Sequence, residues 1–382
     1  MSDIRYQIAV DRKPDDALTR EAAEIEVQQS VEGATTFRIK FAVDICRGDY
    51  DLIDDPRLNP SDKETLLTVA AFLDGAATVL AHGVITERKL NLTEGGPGSS
   101  LEVAGQDRRV VMDRTPPEKG GATHEGRASD IAAAILSSYG FDKVEVDDTD
   151  FTYTEDKTAK KQNGTDLALL KELAGHAGLH FWIDWELAGG LVGFDLLERA
   201  YFKASPPRPT KTPFGIRPPT LLAPPDAPEL KLNAGGGCSN VASFELHTNA
   251  ESPNQSGPVN RVNSDDGQVD EGEVAGTDTD QLGQQQAAPS RPRRRSLVTA
   301  GGAEEARERT QAAVNDASWS VQATAETSAQ ALKGFVAAHQ IIRVSGAGQL
   351  NSGDYFVKAV THTIDSAAHK MRIELLRNAL GG

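Results

Sequence analysis

The sequence predicts a mainly β fold with an α+β insert. Three observations predict it. Apolar residues alternate with polar ones in the segments at both ends of the chain, the period of a half-buried strand. Between residues 126 and 204 the apolar spacing changes to that of helices. Nine prolines then crowd into residues 205–228, too many for a packed element. The chain therefore divides into a first β domain (1–125), an insert (126–204), a proline-rich linker (205–229) and a second β domain (230–382).

In the first segment Ile25 and Val27 alternate with Glu24, Glu26 and Gln28. After a turn at Glu32-Gly33 come Phe37, Ile39, Phe41 and Val43, also alternating. This is a hairpin with one buried face. AATVLAHGVITERKLNLT and SSLEVAGQDRRVVMDR continue it, with Gly83 and Gly105 where strands bend or bulge. In the insert, SDIAAAILSSYGF reads as a helix with Ser129 as N-cap and Gly140 as its stop. KVEVDD is a short strand. GTDLALLKELAGHAG is a helix capped by Thr165, with Leu167, Leu170 and Ala174 on one face. HFWIDWE and LVGFDLL form a hairpin through Ala188-Gly189-Gly190.

In the third segment ASFELHTNAE is a strand. Residues from about 250 to 300 are rich in Asp, Gly, Gln, Ser and Pro and cannot bury enough surface to offset their ordering entropy, which predicts a long flexible loop. A helix follows from Glu304 to Ala313, then the strand SWSVQATAET. The chain closes on GDYFVKAVTHTIDSAAHKMRIELLRNAL, a hairpin with His362 and His369 astride its turn. Strict alternation places Phe356, Val360, His362 and Ile364 on one face, and His369, Met371, Ile373 and Leu375 on one face of the return strand. No tandem repeat is visible.

The bulk numbers limit function. The chain has 382 residues, enough for two or three domains and a sizeable core. Its 56 acids against 40 bases leave a formal charge of -16, which disfavours nucleic-acid recognition. Cys46 and Cys238 are the only cysteines, too few and too distant for a disulfide scaffold or a zinc site. The N-terminus lacks a signal-peptide core, and Leu66–Val84 is interrupted by Asp74, Gly75 and His82, so no membrane span is expected.

Every candidate for chemistry has a plainer reading. His176, His180 and Asp184 have metal-ligand spacing, but Gly178 breaks the helix between them. His362, Asp365, Ser366 and His369 crowd one turn, where a nucleophile–base–orienter line has no room. Cys238 has no cation nearer than Lys231 to depress its pKa. GGPGSS at 95–100 lacks the lysine of a phosphate loop. RPRRR at 291–295 reads as a solvated tether, and RGD at 47–49 carries almost no specificity. No catalytic, cofactor-binding or metal residues are assigned, no cofactor is expected, and the protein is read as a non-enzyme.

The order of four stretches resembles a known family. They are GVITERKLNLTEGGPGSSLEVAGQDRRVVMDRT, SDIAAAILSSYGF, TDLALLKELAGHAGLHFWID and GQLNSGDYFVKAVTHTIDSAAHKMRIELLRNAL. They are similar to the baseplate hub proteins of contractile phage tails and injection systems, the late control protein D family, and to the base module of VgrG spikes. The resemblance implies two tube-protein-like antiparallel β-barrel domains plus a small α+β domain. It implies a homotrimeric ring joining a hexameric tail tube to a trimeric spike, assembled in the bacterial cytoplasm. The implied partners are the tube protein, other baseplate proteins, a tape-measure protein or cargo in the channel and, because the chain ends at Gly382 just after the hairpin, a separately encoded spike. The alternative reading is a tail-associated cell-wall or ester hydrolase domain.

Overall fold

The structure is a computed structural model. It describes residues 4–45, 50–60, 64–93, 98–114, 121–155, 159–188, 195–206, 227–232, 239–249, 257–262, 269–274, 277–286 and 303–381. Cys46, Cys238, the RGD and RPRRR motifs, half of GGPGSS and most of the proline run lie outside the described residues.

Thirteen described strands form one continuous sheet that curls around two cores. The first half comprises β1 (Ile4–Val10), β2 (Ala22–Ser30), β3 (Thr36–Ala42), β4 (Leu66–Leu73), β5 (Ala76–Asn91) and β6 (Ser100–Gln106). Their order is β2-β3-β6-β5-β4-β1, all antiparallel. The alternation read from sequence is what buries Ile25, Val27, Phe37, Ile39, Phe41, Leu101 and Val103 while Arg38 and Lys40 face water. A short helix, α1 (Asp16–Glu21), fills the gap between β1 and β2. Asp15 caps it, Leu18 enters the core, and the Thr19 hydroxyl accepts the Ile8 N–H at 2.9 Å.

The insert has its own core. Helix α2 (Ala128–Ser138) and α3 (Asp166–Ala177) cover a sheet of β7 (Lys143–Val146), β8 (His180–Ala188) and β9 (Asp195–Lys203), ordered β7-β9-β8. Gly140 and Gly178 end the helices in the left-handed conformation, and Thr165 accepts the Ala168 N–H. Ser129 is not the N-cap. Arg127 occupies that position, and Ser129 sits inside the helix bonded to Thr149.

The second half comprises β10 (Glu229–Lys231), β11 (Val241–Thr248), β14 (Val321–Ser328), β15 (Ile341–Ser345), β16 (Gly353–Asp365) and β17 (His369–Arg377). Between them β12 (Gly257–Val262) and β13 (Val269–Val274) pair as a hairpin, and α4 (Ala303–Ala317) packs on α3. The stretch 250–300, read from sequence as loop, thus contains two paired strands. Part of it also docks: Leu282 is buried, and Gln285–Gln286 pairs with Ala379–Leu380.

The second half repeats the first. Matching β1, β2, β3, β4, β5 and β6 to β10, β11, β14, β15, β16 and β17 preserves strand order. It also preserves register. Ile25 faces Ile39 as Phe244 faces Ala325. Ile39 faces Val103 as Ala325 faces Ile373. Arg88 faces Val103 as Val360 faces Ile373. Leu66 faces Val84 as Ile341 faces Phe356. The bulges recur at equivalent places: Ala22/Glu24 with Val241/Ser243, and Ile85/Glu87 with Val357/Ala359. One pair departs, since β1 is antiparallel to β4 and β10 parallel to β15. The equivalent sequences AAEIEVQQ and VASFELHT agree at two of eight positions, so the repeat is invisible in the chain.

The halves join through β16. One flank of this strand carries β15 along Gly353–Phe356 and then β2 along Ala359–Asp365. The bulge at Lys358 divides the two stretches and reverses side-chain parity. Phe356 therefore packs with Val31, Leu282 and Ile341, on the face opposite Val360, contrary to the strict alternation read from sequence.

Gly83 and Gly105 mark close approaches beside the β5 bulge. A Cβ on Gly105 would lie 2.3 Å from the Phe37 ring and from the Val84 carbonyl oxygen. Gly105→Ala is expected to cost about 1–3 kcal/mol, the range for overpacking, read as a lower urea midpoint with unchanged slope.

Candidate functional site

The closing hairpin places its two histidines in the seam between the halves. Both are fully buried. His362 lies opposite Val27 of β2, and His369 touches Tyr6 of β1 and Phe335. The Tyr6 hydroxyl lies 3.0 Å from His369 Nδ1, and His369 Nε2 lies 2.9 Å from His362 Nδ1. With Tyr6 donating, His369 carries its proton on Nε2 and donates it to His362. Burial raises the Tyr6 pKa to about 12, so it remains a donor. Burial lowers His369 to about 4; burial and then the neighbouring imidazole lower His362 to about 3. The pair is a neutral hydrogen-bonded joint. Asp365 turns away from it and accepts the N–H groups of Ala367 and Ala368, while Ser366 is exposed. No catalytic line forms in this turn.

His176, His180 and Asp184 are also kept apart. His176 Nδ1 lies 3.0 Å from an Arg309 guanidinium nitrogen, and burial lowers the His176 pKa to about 4. Asp184 is exposed on β8 and accepts the backbone N–H of Trp185. His176 and His180 line one cleft; Asp184 lines another, of about 590 Å³, between the insert and both halves of the sheet. In that larger cleft Tyr201, Trp182 and His339 stack face to face, and Ser205 Oγ lies 2.7 Å from His339 Nδ1. These contacts fasten the insert to the second half. Among the described residues no three His, Cys, Asp or Glu side chains are grouped to hold a metal.

The residues that do converge are structural anchors that composition did not single out. Asp107 is buried with Arg109, which meets both carboxylate oxygens and also reaches the Phe181 carbonyl. Asp107 further accepts the Thr35 N–H at 2.7 Å. Arg108 binds Glu198 and the Tyr139 carbonyl. Three consecutive residues thus tie the first half to the insert. Arg377 is completely buried and donates to the carbonyls of Leu282, Leu350, Ser352 and Gly381, with its plane over Tyr355. Gly353 makes room for it: with φ at 134°, a Cβ there would lie 2.5 Å from the guanidinium. Asn378 adds bonds to Leu282 N–H and the Asp280 carbonyl. The signal in the sequence is the Arg377-Asn378 pair near the end of the fourth stretch that carries the resemblance.

The fold has known counterparts. It aligns with a 43 kDa tail protein of prophage MuSo2 from Shewanella oneidensis at TM-score 0.63 and 13% identity, covering 99% of this chain and 100% of that one. A tail protein from Neisseria meningitidis aligns at TM-score 0.62 and 10% identity, covering 99% and 98%. A type VI secretion component from E. coli aligns at TM-score 0.50 and 12% identity, covering 98% and 76%. No family model and no curated protein matches the sequence. At these identities the likeness shows a shared fold, that of phage tail and type VI secretion proteins. Among the described residues no helix is long and apolar enough to cross a membrane.

Two outcomes follow from this geometry. A histidine with a depressed folded pKa stabilises the fold fully above its unfolded value near 6.5 and loses that contribution as pH falls toward the folded value. For His369 this is on the order of 3 kcal/mol between pH 6.5 and about 4. The urea midpoint should drop over that window, and less steeply in a His362→Leu, His369→Leu variant. Arg377→Ala orphans four carbonyl groups and should lower stability by about 3–5 kcal/mol, with Arg377→Lys failing to restore it because one ammonium cannot span the fork; thermal melts measure both.

Proposed function

We propose that this protein is the central hub of a contractile tail or injection-system baseplate. In this reading it is a structural, non-enzymatic homotrimer whose ring joins a hexameric tail tube to a trimeric spike. Residues 1–125 and 230–382 are its two barrel domains, 126–204 the α+β domain and 205–229 the linker. The tube protein, other baseplate proteins and a spike protein are its partners, and it is assembled in the bacterial cytoplasm.

The observation that carries the reading is the internal duplication. Two barrels of equal register, fused edge to edge within one chain, turn three copies into a ring of six like units. Such a ring matches six-fold symmetry on one side and three-fold symmetry on the other. Ladders of backbone hydrogen bonds running between barrels also suit a part that bears axial load. The full-length fold likeness to tail proteins supports the same reading. The hydrolase alternative needs a convergent pocket, and of its candidates His176 and His180 line one cleft and Asp184 another.

Light scattering at micromolar concentration should give three times the 40.8 kDa chain mass. A monomeric mass, with or without a spike protein present, would contradict the ring.

A further inference from the structure

The duplication leaves one joint made and one unmade. Within the chain, the β16 flank beyond its bulge is filled by β2, from Ala359 opposite Ser30 to Asp365 opposite Glu24. The equivalent flank of β5, beyond its own bulge at Thr86, carries no strand among the described residues; only β6 lies beside Glu87–Asn91, on the other flank. The equivalent of β2 is β11. Among the described residues β11 pairs with β14 alone and leaves its outer edge open. The two vacant edges are the two sides of the same joint.

We propose that Glu87–Thr93 pairs antiparallel with β11 of a second copy of this chain, in the register of the internal joint. This rests on the ring reading and names the strands that form it. Transferring the register sets Leu90 opposite the partner copy's Leu246, as His362 faces Val27. It sets Leu92 opposite Phe244, as Ile364 faces Ile25. The chemistry fits. Leu92 is 50% exposed, one of three large apolar side chains so placed among the described residues. Phe244 and Leu246 are half-buried against the second core, and Leu90 against the first. Burying these four side chains supplies the apolar contact that the open edges lack. Lys89 falls opposite His247 and diagonal to Glu245, an attractive neighbour. Open edges of this length are an aggregation hazard unless something covers them, and β11 carries no proline and a single Glu to blunt it. The contact is head-to-tail, so it continues from copy to copy until a ring closes.

Disulfide trapping in the full chain tests the register. Directly opposed residues in an antiparallel pair have Cα atoms about 4.5–5.5 Å apart, within disulfide reach. In a chain with Cys46 and Cys238 replaced by Ser, Leu92→Cys with Phe244→Cys should give covalent multimers under mild oxidation. Leu92→Cys with His247→Cys, out of register and on the other face, should give none. Leu92→Asp, at an exposed position that the fold tolerates, should weaken association at least tenfold in sedimentation while leaving the circular dichroism unchanged. Multimers that form without the 92–244 link and ignore Leu92→Asp would overturn this pairing and leave the ring standing. A monomer in every variant and in the parent chain would overturn both.

Discussion

Lys358 is one residue too many for the ladder it sits in, and the architecture depends on that excess. The bulge lets one flank of β16 serve β15 and then β2, while the other flank stays on β17 throughout. Beyond it the strand pairs with β2 of the first half. The two halves thus share hydrogen bonds. The Val31 N–H to Lys358 carbonyl bond, at 2.9 Å, extends the same joint one residue further. The bulge costs one ladder pairing, and it falls where the partner on the other flank changes from β15 to β2.

Buried polar groups do the rest of the joining. Asp107, Arg108 and Arg109 hold the insert to the first half, the Trp182–His339 stack holds it to the second, and Arg377 gathers four carbonyls where the chain returns to its end. Asp107, Arg109 and Arg377 are each held by several hydrogen bonds, which is the condition for burying such charged groups. The likeness to chemistry in the sequence arises here. A buried histidine pair and a buried arginine occur in active sites; here His369 is engaged by Tyr6 and His362, and Arg377 by four carbonyl groups. Positions within the first stretch that carries the resemblance acquire physical meaning as well. In Leu101-x-Val103-x-Gly105-x-Asp107, two side chains fill the core, one glycine admits the Phe37 ring, and the aspartate anchors Arg109.

Local pattern and tertiary context divide cleanly in this chain. Period-two alternation identified β2, β3, β11, β14, β16 and β17, and the glycines at 140 and 178 stopped the helices, because these signals depend on neighbours a few residues away. The reading failed where a distant contact decided. Ser129 looks like an N-cap until Thr149 takes its hydroxyl, and residues 257–262 and 269–274 look too polar to order until they pair with each other. Phe356 sits on the wrong face by parity because a bulge depends on the strand opposite and leaves no mark on the residue that makes it.

By itself, then, the sequence determined that the fold is mainly β, that the segments with period-two alternation are strands, and where glycines stop the two helices between them. Side-chain periodicity and glycine placement carry that information locally. The tertiary structure alone decided that the two β segments are copies in register, that they share one sheet, and that, among the described residues, two strand edges are left open. Register is held by backbone hydrogen bonds, which are the same for every residue type, so the duplication outlasts the sequence likeness that would have announced it.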